Sequence, residues 1–348
     1  MIELLVFDLD GVITSEGKYW NTARLTVWDV FCGSDFCSFE DFFASSLFDP
    51  GDVLQFGQQV ISDSFIRELK IRAVNSNWDL AYFVVSLYLI SVLKNNPSIA
   101  SLKHLTLREQ LQAIGEQLQA NHNLDLTIID KFWAETKSLQ GSQVSDYLVP
   151  FAQKIINKEL DEIISLNQLW SFCYELFQAW YQGERGFILP DDQTVLGADI
   201  IEESLSSLAQ KYDLGIATGR PRAEVIEPLS KLDLLKYFNS QRIVTYDEVI
   251  EAESLTGNQI KLGKPHPYIL FRAINPQLSL EEILKKDFQL EYCQKVAYIG
   301  DAGSDVVAAK KAGCLSVGVL TGFSTAQSLL DLGCDMIVQD ISHLNELF

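Results

Sequence analysis

Short apolar runs alternate with helix-like segments at both ends of the chain. Six of these runs have the length and apolar character of strands buried in a parallel sheet: residues 2–7, 214–217, 243–245, 296–299, 315–319 and 336–338. Helical spacing of apolar residues, as at Ile201, Leu205 and Leu208, lies between them. This alternation predicts an α/β domain with a doubly wound, mostly parallel sheet.

A long segment between the first two predicted strands has a different texture. All six tryptophans lie within residues 18–185, where apolar residues follow helical spacing and polar breaks separate the segments. Its apolar run at 80–93 is shorter than the roughly 20 residues of a membrane span, so it predicts a buried helix. We therefore expect one domain from residues 1–17 and 186–348, with an all-helical domain at 18–185 inserted into it.

Charge and cysteine content narrow the expected partners and location. The formal net charge of −20 disfavours nucleic acid and anionic membranes as partners. The N-terminus carries acidic residues where a secretory leader would be basic, and the six cysteines show only a weak C-x4-C pair. These features predict reduced thiols and a cytoplasmic location; they do not indicate an oligomeric state.

Two acidic residues follow the first predicted strand in the segment Phe-Asp-Leu-Asp-Gly. Strand geometry places alternate side chains on one face, so the carboxylates of Asp8 and Asp10 are expected to point the same way. Carboxylates this close repel each other unless a cation lies between them or one is protonated. Taken alone, the pair indicates either a cation site or a solvated acidic turn.

Two further polar groups follow later strands or lie in a stiff loop. Thr218 and Gly219 end a strand just before Pro221, which suits the first turn of a helix, where backbone amides bind anions. Lys264 precedes Pro265, and this biases the lysine toward an extended backbone. A lysine held in this way suits a fixed charge for phosphate, whereas most lysines in turns are only solvated.

Asp301 and Asp305 follow the strand at residues 296–299. The carboxyl ends of parallel strands meet at one edge of the sheet, so Asp301 is expected close to Asp8 and Asp10. Oxygen-only ligands of this kind suit Mg²⁺. Asp305 lies at a predicted helix start, where an acid interacts favourably with the helix dipole, and this position is also compatible with orienting a metal site.

These residues form four clusters along the chain: Asp8 with Asp10, Thr218 with Gly219, Lys264 with Pro265, and Asp301 with Asp305. In this order they resemble the signature motifs of the haloacid dehalogenase (HAD) superfamily, in its phosphatase branch: DxDG, hydrophobic-Thr-Gly, Lys-Pro and Gly-Asp-x3-Asp. The resemblance covers the start of the chain and the region after Gly197. It implies a HAD-like core with a helical cap inserted between the first and second motifs. The insertion at 18–185 is longer than the usual cap of that position.

The resemblance also implies a chemistry for the matching residues. Asp8 would attack phosphorus and form an aspartyl-phosphate, while Asp10 would act as general acid and then as general base. Thr218, the Gly219 amide and Lys264 would hold the transferring phosphoryl oxygens. The enzyme would then be a phosphoric monoester hydrolase acting on a small phosphorylated metabolite that the sequence does not name.

A magnesium site is implied in the same way. The ion would be held by the Asp8 side chain, the Asp10 backbone carbonyl and Asp301, with Asp305 orienting that set. An acid two residues after the nucleophile separates the phosphatases from haloacid dehalogenases, which lack it and need no magnesium. The presence of Asp10 therefore favours phosphoryl transfer.

Two other functions stay open at this point. A phosphomutase acting on a sugar phosphate would use the same residues and return the phosphoryl group to a bound intermediate. A non-catalytic phosphate-binding or signalling protein is the other alternative. A signalling receiver domain carries its phosphate acceptor on a later strand than its acidic pair. Here the acidic pair follows the first strand and no lone Asp ends the next one, which disfavours a receiver domain.

Overall fold

The chain divides into two compact units. The computed structural model describes residues 2–43, 47–72, 74, 76–96, 99, 101–118, 123–156, 164–191, 193–257, 260–285 and 293–348. One unit comprises Met1–Glu16 and Asp191–Phe348, and the other comprises Gly17–Pro190. The expected domain limits, after residue 17 and before residue 186, differ from these by one and five residues.

The first unit is built on a parallel sheet, which confirms the predicted fold class. Its strands are β1 Leu4–Phe7, β2 Asp213–Ala217, β3 Ile243–Val244, β4 Val296–Gly300, β5 Leu315–Val319 and β6 Met336–Val338. Their order is β3-β2-β1-β4-β5-β6, with every pairing parallel. The chain therefore places β2 and β3 on one side of β1, and then crosses back to place β4, β5 and β6 on the other side. The carboxyl ends of β1 and β4 form the crevice where open α/β sheets bind ligands.

Helices account for most of the remaining described residues. Those of the second unit are α1 Gly17–Cys32, α2 Pro50–Phe56, α3 Asp63–Ile71, α4 Asn77–Lys94, α5 Leu107–Leu118, α6 Thr127–Glu135, α7 Ser142–Ile156 and α8 Leu166–Tyr181. Those of the first unit are α9 Ala198–Ala209, α10 Ala223–Lys231, α11 Tyr246–Leu255, α12 Tyr268–Ile274, α13 Leu280–Lys285, α14 Gly303–Ala312, α15 Ala326–Asp331 and α16 Leu344–Leu347.

Alternate side chains of the central strands bury into two separate apolar layers. In β1, Leu5 and Phe7 join the layer that includes α9 and α10, while Leu4 and Val6 join the layer that includes α12 and α14. All four side chains are fully buried. A strand covered on both faces reads as a continuous apolar run, and this explains why β1 could be recognised from the sequence.

The regular secondary structure described in the second unit consists of helices. Its helix α4 is buried along residues 80–93 and packs against α1, α7 and α8. The apolar run at 80–93 is therefore a core helix, as predicted. A search of the described residues finds no helix with the length and apolar character to cross a membrane.

A matched pair of leucines tests the assignment of the core. Leu205 in α9 is fully buried beneath the sheet, whereas Leu255 at the end of α11 is 62% exposed. Leu205→Ala should lower the free energy of unfolding by about 2–5 kcal/mol, because it removes apolar contacts and leaves a cavity. Leu255→Ala should change it by less than about 0.5 kcal/mol. Urea denaturation measures both, and equal losses would contradict this packing.

Candidate functional site

Three buried carboxylates meet at the crevice between β1 and β4. One carboxylate oxygen from each of Asp8, Asp301 and Asp305 lies within 4.8 Å of the other two. Asp8 follows β1 directly, and its backbone amide donates to the carbonyl of Ile299 in β4 at 2.8 Å, which fixes the two strand ends together. Within the described part of the chain, Asp8 Oδ1 is buried and accepts no hydrogen bond.

Lys264 contacts two carboxylates of this cluster. Its Nζ lies 2.7 Å from Asp8 Oδ2 and 2.8 Å from Asp305 Oδ1, and its side chain is largely buried. Burial alone would lower the pKa of Lys264, but the charges of Asp305 and Asp8 outweigh it and raise that pKa well above its ordinary value. Lys264 therefore stays charged at neutral pH, in line with the fixed charge expected from the sequence.

Tyr298 is a contact that the sequence analysis missed. Its hydroxyl donates to the carbonyl of Ala217 at 2.8 Å and lies 3.2 Å from Asp305 Oδ1 and 3.4 Å from Lys264 Nζ. Burial, reinforced by the charge of Asp305, raises the pKa of Tyr298 well above its ordinary value, so the phenol remains protonated. The tyrosine thereby ties β4 to β2 beneath the lysine.

Asp305 has both carboxylate oxygens engaged. Oδ1 accepts from Lys264, and Oδ2 accepts from the backbone amide of Ala302 at 3.0 Å, which caps the start of α14. Burial raises the pKa of Asp305, and Lys264 acts in the opposite direction. Its position at a helix start agrees with the sequence expectation. Its carboxylate also joins the acidic cluster directly.

Glycines leave the space that the carboxylates occupy. A Cβ at Gly322 would lie 1.7 Å from Asp301 Oδ2, and one at Gly11 would lie 2.7 Å from the same carboxylate. A Cβ at Gly300 would lie 2.3 Å from Asp305 Cβ. Gly11 also has a φ of +71°, which favours glycine on conformational grounds. Side chains at these positions would displace the acids.

Asp10 follows Asp8 by two residues, but its carboxylate binds Arg220 instead of joining the cluster. Arg220 donates from Nε to Asp10 Oδ1 at 2.8 Å and from a terminal nitrogen to the same oxygen. Strand β1 ends at Phe7, so the alternation expected to align Asp8 with Asp10 does not extend that far. The structure thus groups the carboxylate of Asp305, rather than that of Asp10, with Asp8 and Asp301.

Thr218 and Gly219 follow β2 at the same edge of the sheet. Thr218 is buried, and its amide donates to the Val244 carbonyl at 3.0 Å, while a Cβ at the exposed Gly219 would meet nothing within 4 Å. The prediction that Pro221 lies in the first turn of a helix is wrong, because α10 begins at Ala223. The backbone amides at 218 and 219 therefore belong to a loop and not to the first turn of a helix.

Comparison with known proteins agrees with this arrangement. The family model described as haloacid dehalogenase-like hydrolase matches residues 123–319, more than half of the chain. The chain belongs to this family. The match includes the segments that carry Thr218, Lys264 and Asp301, and the structure adds Asp8 from β1 to them. Family membership confirms the resemblance drawn from the sequence motifs.

Curated relatives of this HAD protein are named phosphoglycolate phosphatase. Those from Shigella boydii and Escherichia coli K12 are each 28% identical over 188 residues, or 53% of this chain and 62% of theirs. The chain thus spans about three fifths of the length of these relatives. A crystal structure from the Northeast Structural Genomics Consortium aligns with a TM-score of 0.74 at 24% identity, covering 100% of this chain and 98% of that one. That likeness shows a shared fold.

Two lysines test the electrostatics of the site in the metal-free protein. Lys264→Met should lower the free energy of unfolding by about 3–5 kcal/mol, because it leaves buried carboxylates without their cation. Lys261 is 84% exposed and pairs with Glu253 at the surface, so Lys261→Met should have little effect. Urea denaturation without added metal compares them. An undisturbed Lys264→Met variant would show that the ion pairs contribute no net stability.

Proposed function

We propose that the protein is a Mg²⁺-dependent phosphatase that hydrolyses a small phosphorylated metabolite through an aspartyl-phosphate on Asp8. One observation carries the proposal. Asp8 is a buried carboxylate at the switch point of the sheet, with Oδ2 held by Lys264 and Oδ1 left without a hydrogen bond beside Asp301. A carboxylate held in this way is prepared for both a cation and a phosphoryl group.

The substrate class follows from charge and from the relatives. A chain with a net charge of −20 attracts a phosphate only through local positive charge, and Lys264 supplies it at this edge of the sheet. Proteins named phosphoglycolate phosphatase share 28% identity with the chain over 188 residues. Phosphoglycolate is therefore the first physiological compound to test.

The chain's own residues would carry two successive displacements. An oxygen of Asp8 attacks phosphorus, the bond from phosphorus to the leaving oxygen breaks, and Asp10 protonates that oxygen, which leaves the phosphoryl group on Asp8. Water then attacks this phosphorus, gives its proton to Asp10 and releases inorganic phosphate. Thr218, the Gly219 amide and Lys264 would hold the phosphoryl oxygens throughout.

The acidic cluster fits a divalent cation. Among the described residues, the carboxylates of Asp8, Asp301 and Asp305 cluster beside Lys264, so these four ionised groups together carry two excess negative charges, and the donor atoms of the acids are oxygens. A phosphate dianion 4 Å from one carboxylate would meet about 8 kcal/mol of repulsion at an effective dielectric of 20. A bound Mg²⁺ would offset most of this repulsion.

The proposed ligands are the Asp8 side chain, the Asp10 backbone carbonyl and Asp301. Asp305 would orient this set rather than bind the ion, because Lys264 and the Ala302 amide already engage its two oxygens. The close approach of Gly322 to Asp301 supports the same assignment, since it keeps space for this carboxylate within the cluster.

The nucleophile is tested by assaying phosphate release from p-nitrophenyl phosphate and phosphoglycolate with Mg²⁺. Asp8→Asn should lower kcat by on the order of 10⁴-fold or more, because it removes the attacking carboxylate. Asp199→Asn, at an exposed position on α9, is the matched control and should keep full activity. Beryllofluoride should form an adduct with the wild type and with Asp199→Asn, but not with Asp8→Asn. An isomerised phosphate ester in place of free phosphate would instead indicate a phosphomutase.

The metal requirement is tested by chelation and by a matched pair of glycine substitutions. EDTA should abolish turnover and excess Mg²⁺ should restore it. Gly322→Ala should weaken Mg²⁺ binding by about 10–100-fold, because its Cβ displaces Asp301. Gly263→Ala is the control, since its Cβ would meet only one atom, at 4.0 Å. Calorimetric Mg²⁺ titration measures both variants, and full activity of the wild type in EDTA would refute the metal requirement.

A further inference from the structure

The contact between Arg220 and Asp10 is held at both ends of the arginine. The Arg220 side chain is 2% exposed, and one terminal nitrogen donates to the Glu224 carbonyl in α10 at 3.2 Å. Its backbone carbonyl accepts from the Tyr246 amide at 2.9 Å, and its backbone amide donates to Thr218 Oγ1 at 3.4 Å. The guanidinium is therefore a fixed group and not a solvated side chain that contacts Asp10 by chance.

The two oxygens of Asp10 are inequivalent as a result. Oδ1 accepts two N–H groups of Arg220, whereas Oδ2 accepts no hydrogen bond from the described residues. A guanidinium only donates, so a proton cannot be placed on Oδ1 where the arginine already directs its hydrogens. The Asp10 side chain is 20% exposed, so part of it remains accessible to a ligand or water.

We propose that Arg220 is a positioning residue that fixes the Asp10 carboxyl group so that Oδ2 alone exchanges the proton. This proposal rests on the phosphatase function proposed above. As Asp8 bonds to phosphorus, the bond from phosphorus to the leaving oxygen breaks, and that oxygen takes the proton from Oδ2. In the second displacement, water bonds to phosphorus, its proton passes to Oδ2, and the bond from phosphorus to Asp8 breaks.

A leaving-group comparison separates this role from a purely structural one. The p-nitrophenolate ion departs with little help from an acid, whereas the alkoxide of phosphoglycolate needs a proton as its bond to phosphorus breaks. The value of kcat/KM reports the steps up to that departure. A residue that positions the acid should therefore matter more for the alkyl ester, while a residue that only stabilises the loop should affect both esters equally.

The experiment measures kcat/KM for both esters in the full-length, Mg²⁺-loaded protein. Arg220→Met should lose about 10²-fold or more on phosphoglycolate and at least tenfold less on p-nitrophenyl phosphate. Asp10→Asn should show the same selectivity, and the double variant should lose no more than Asp10→Asn alone. Arg220→Lys, which keeps the charge and gives the comparison if Arg220→Met does not fold, should recover part of the loss.

Arg222→Met is the matched control. Arg222 lies two residues away in the same loop, but it contacts Glu248 and the Ile243 carbonyl instead of the site. It should leave the ratio of the two kcat/KM values unchanged. Equal losses on both esters for Arg220→Met, or additive losses with Asp10→Asn, would overturn the positioning role. A wild type without phosphatase activity, or an active Asp8→Asn variant, would instead overturn the proposed function itself.

Discussion

Repulsion among three buried carboxylates is the constraint around which this site is organised. Asp8, Asp301 and Asp305 come from the ends of two neighbouring strands and the helix that follows one of them, and one oxygen from each lies within 4.8 Å of the other two. Lys264 contacts Asp8 and Asp305. Carboxylates brought this close destabilise the folded chain unless cations compensate them. This repulsion therefore lowers the stability of the folded protein without a cation, and a bound cation would remove it.

The surrounding residues hold that arrangement in place. Tyr298 links Asp305 to the carbonyl of Ala217, and the amide of Asp8 bonds to the end of β4, so the strands β2, β1 and β4 are joined at their carboxyl ends. The glycines at 11, 300 and 322 provide space that no larger residue would leave. Fixed positions of this kind are what electrostatic stabilisation of a transferring phosphoryl group requires.

Much of the fold could be predicted because its central strands are buried on both faces. Four apolar residues in β1 and five residues ending in Gly300 in β4 stand out from their neighbours for that reason. The partner of Asp10 could not be predicted in the same way. Strand periodicity says nothing about a turn, and β1 ends at Phe7, so the direction of Asp10 depends on Arg220 more than two hundred residues later.

Tyr298 and Gly322 illustrate a second reason why parts of the site could not be predicted from the sequence. A tyrosine within an apolar run looks like core, and its hydroxyl gains a function only when β2 and the lysine loop pack against β4. Gly322 follows β5 without a motif around it, and the need for a glycine arises from the approach of Asp301 alone. Sequence patterns report the regular elements, whereas these contacts depend on tertiary distances.

The position of β1 has a consequence for how the protein is made. Its partners β2 and β4 begin at Asp213 and Val296, so the strand is synthesised roughly 200 residues before any neighbour exists. At translation rates of about 5–20 residues per second, that interval is about 10–40 seconds. During this time the apolar strand that directly precedes the proposed nucleophile has no sheet to join. The nascent chain must therefore keep β1 from aggregating or mispairing until the ribosome has synthesised β2.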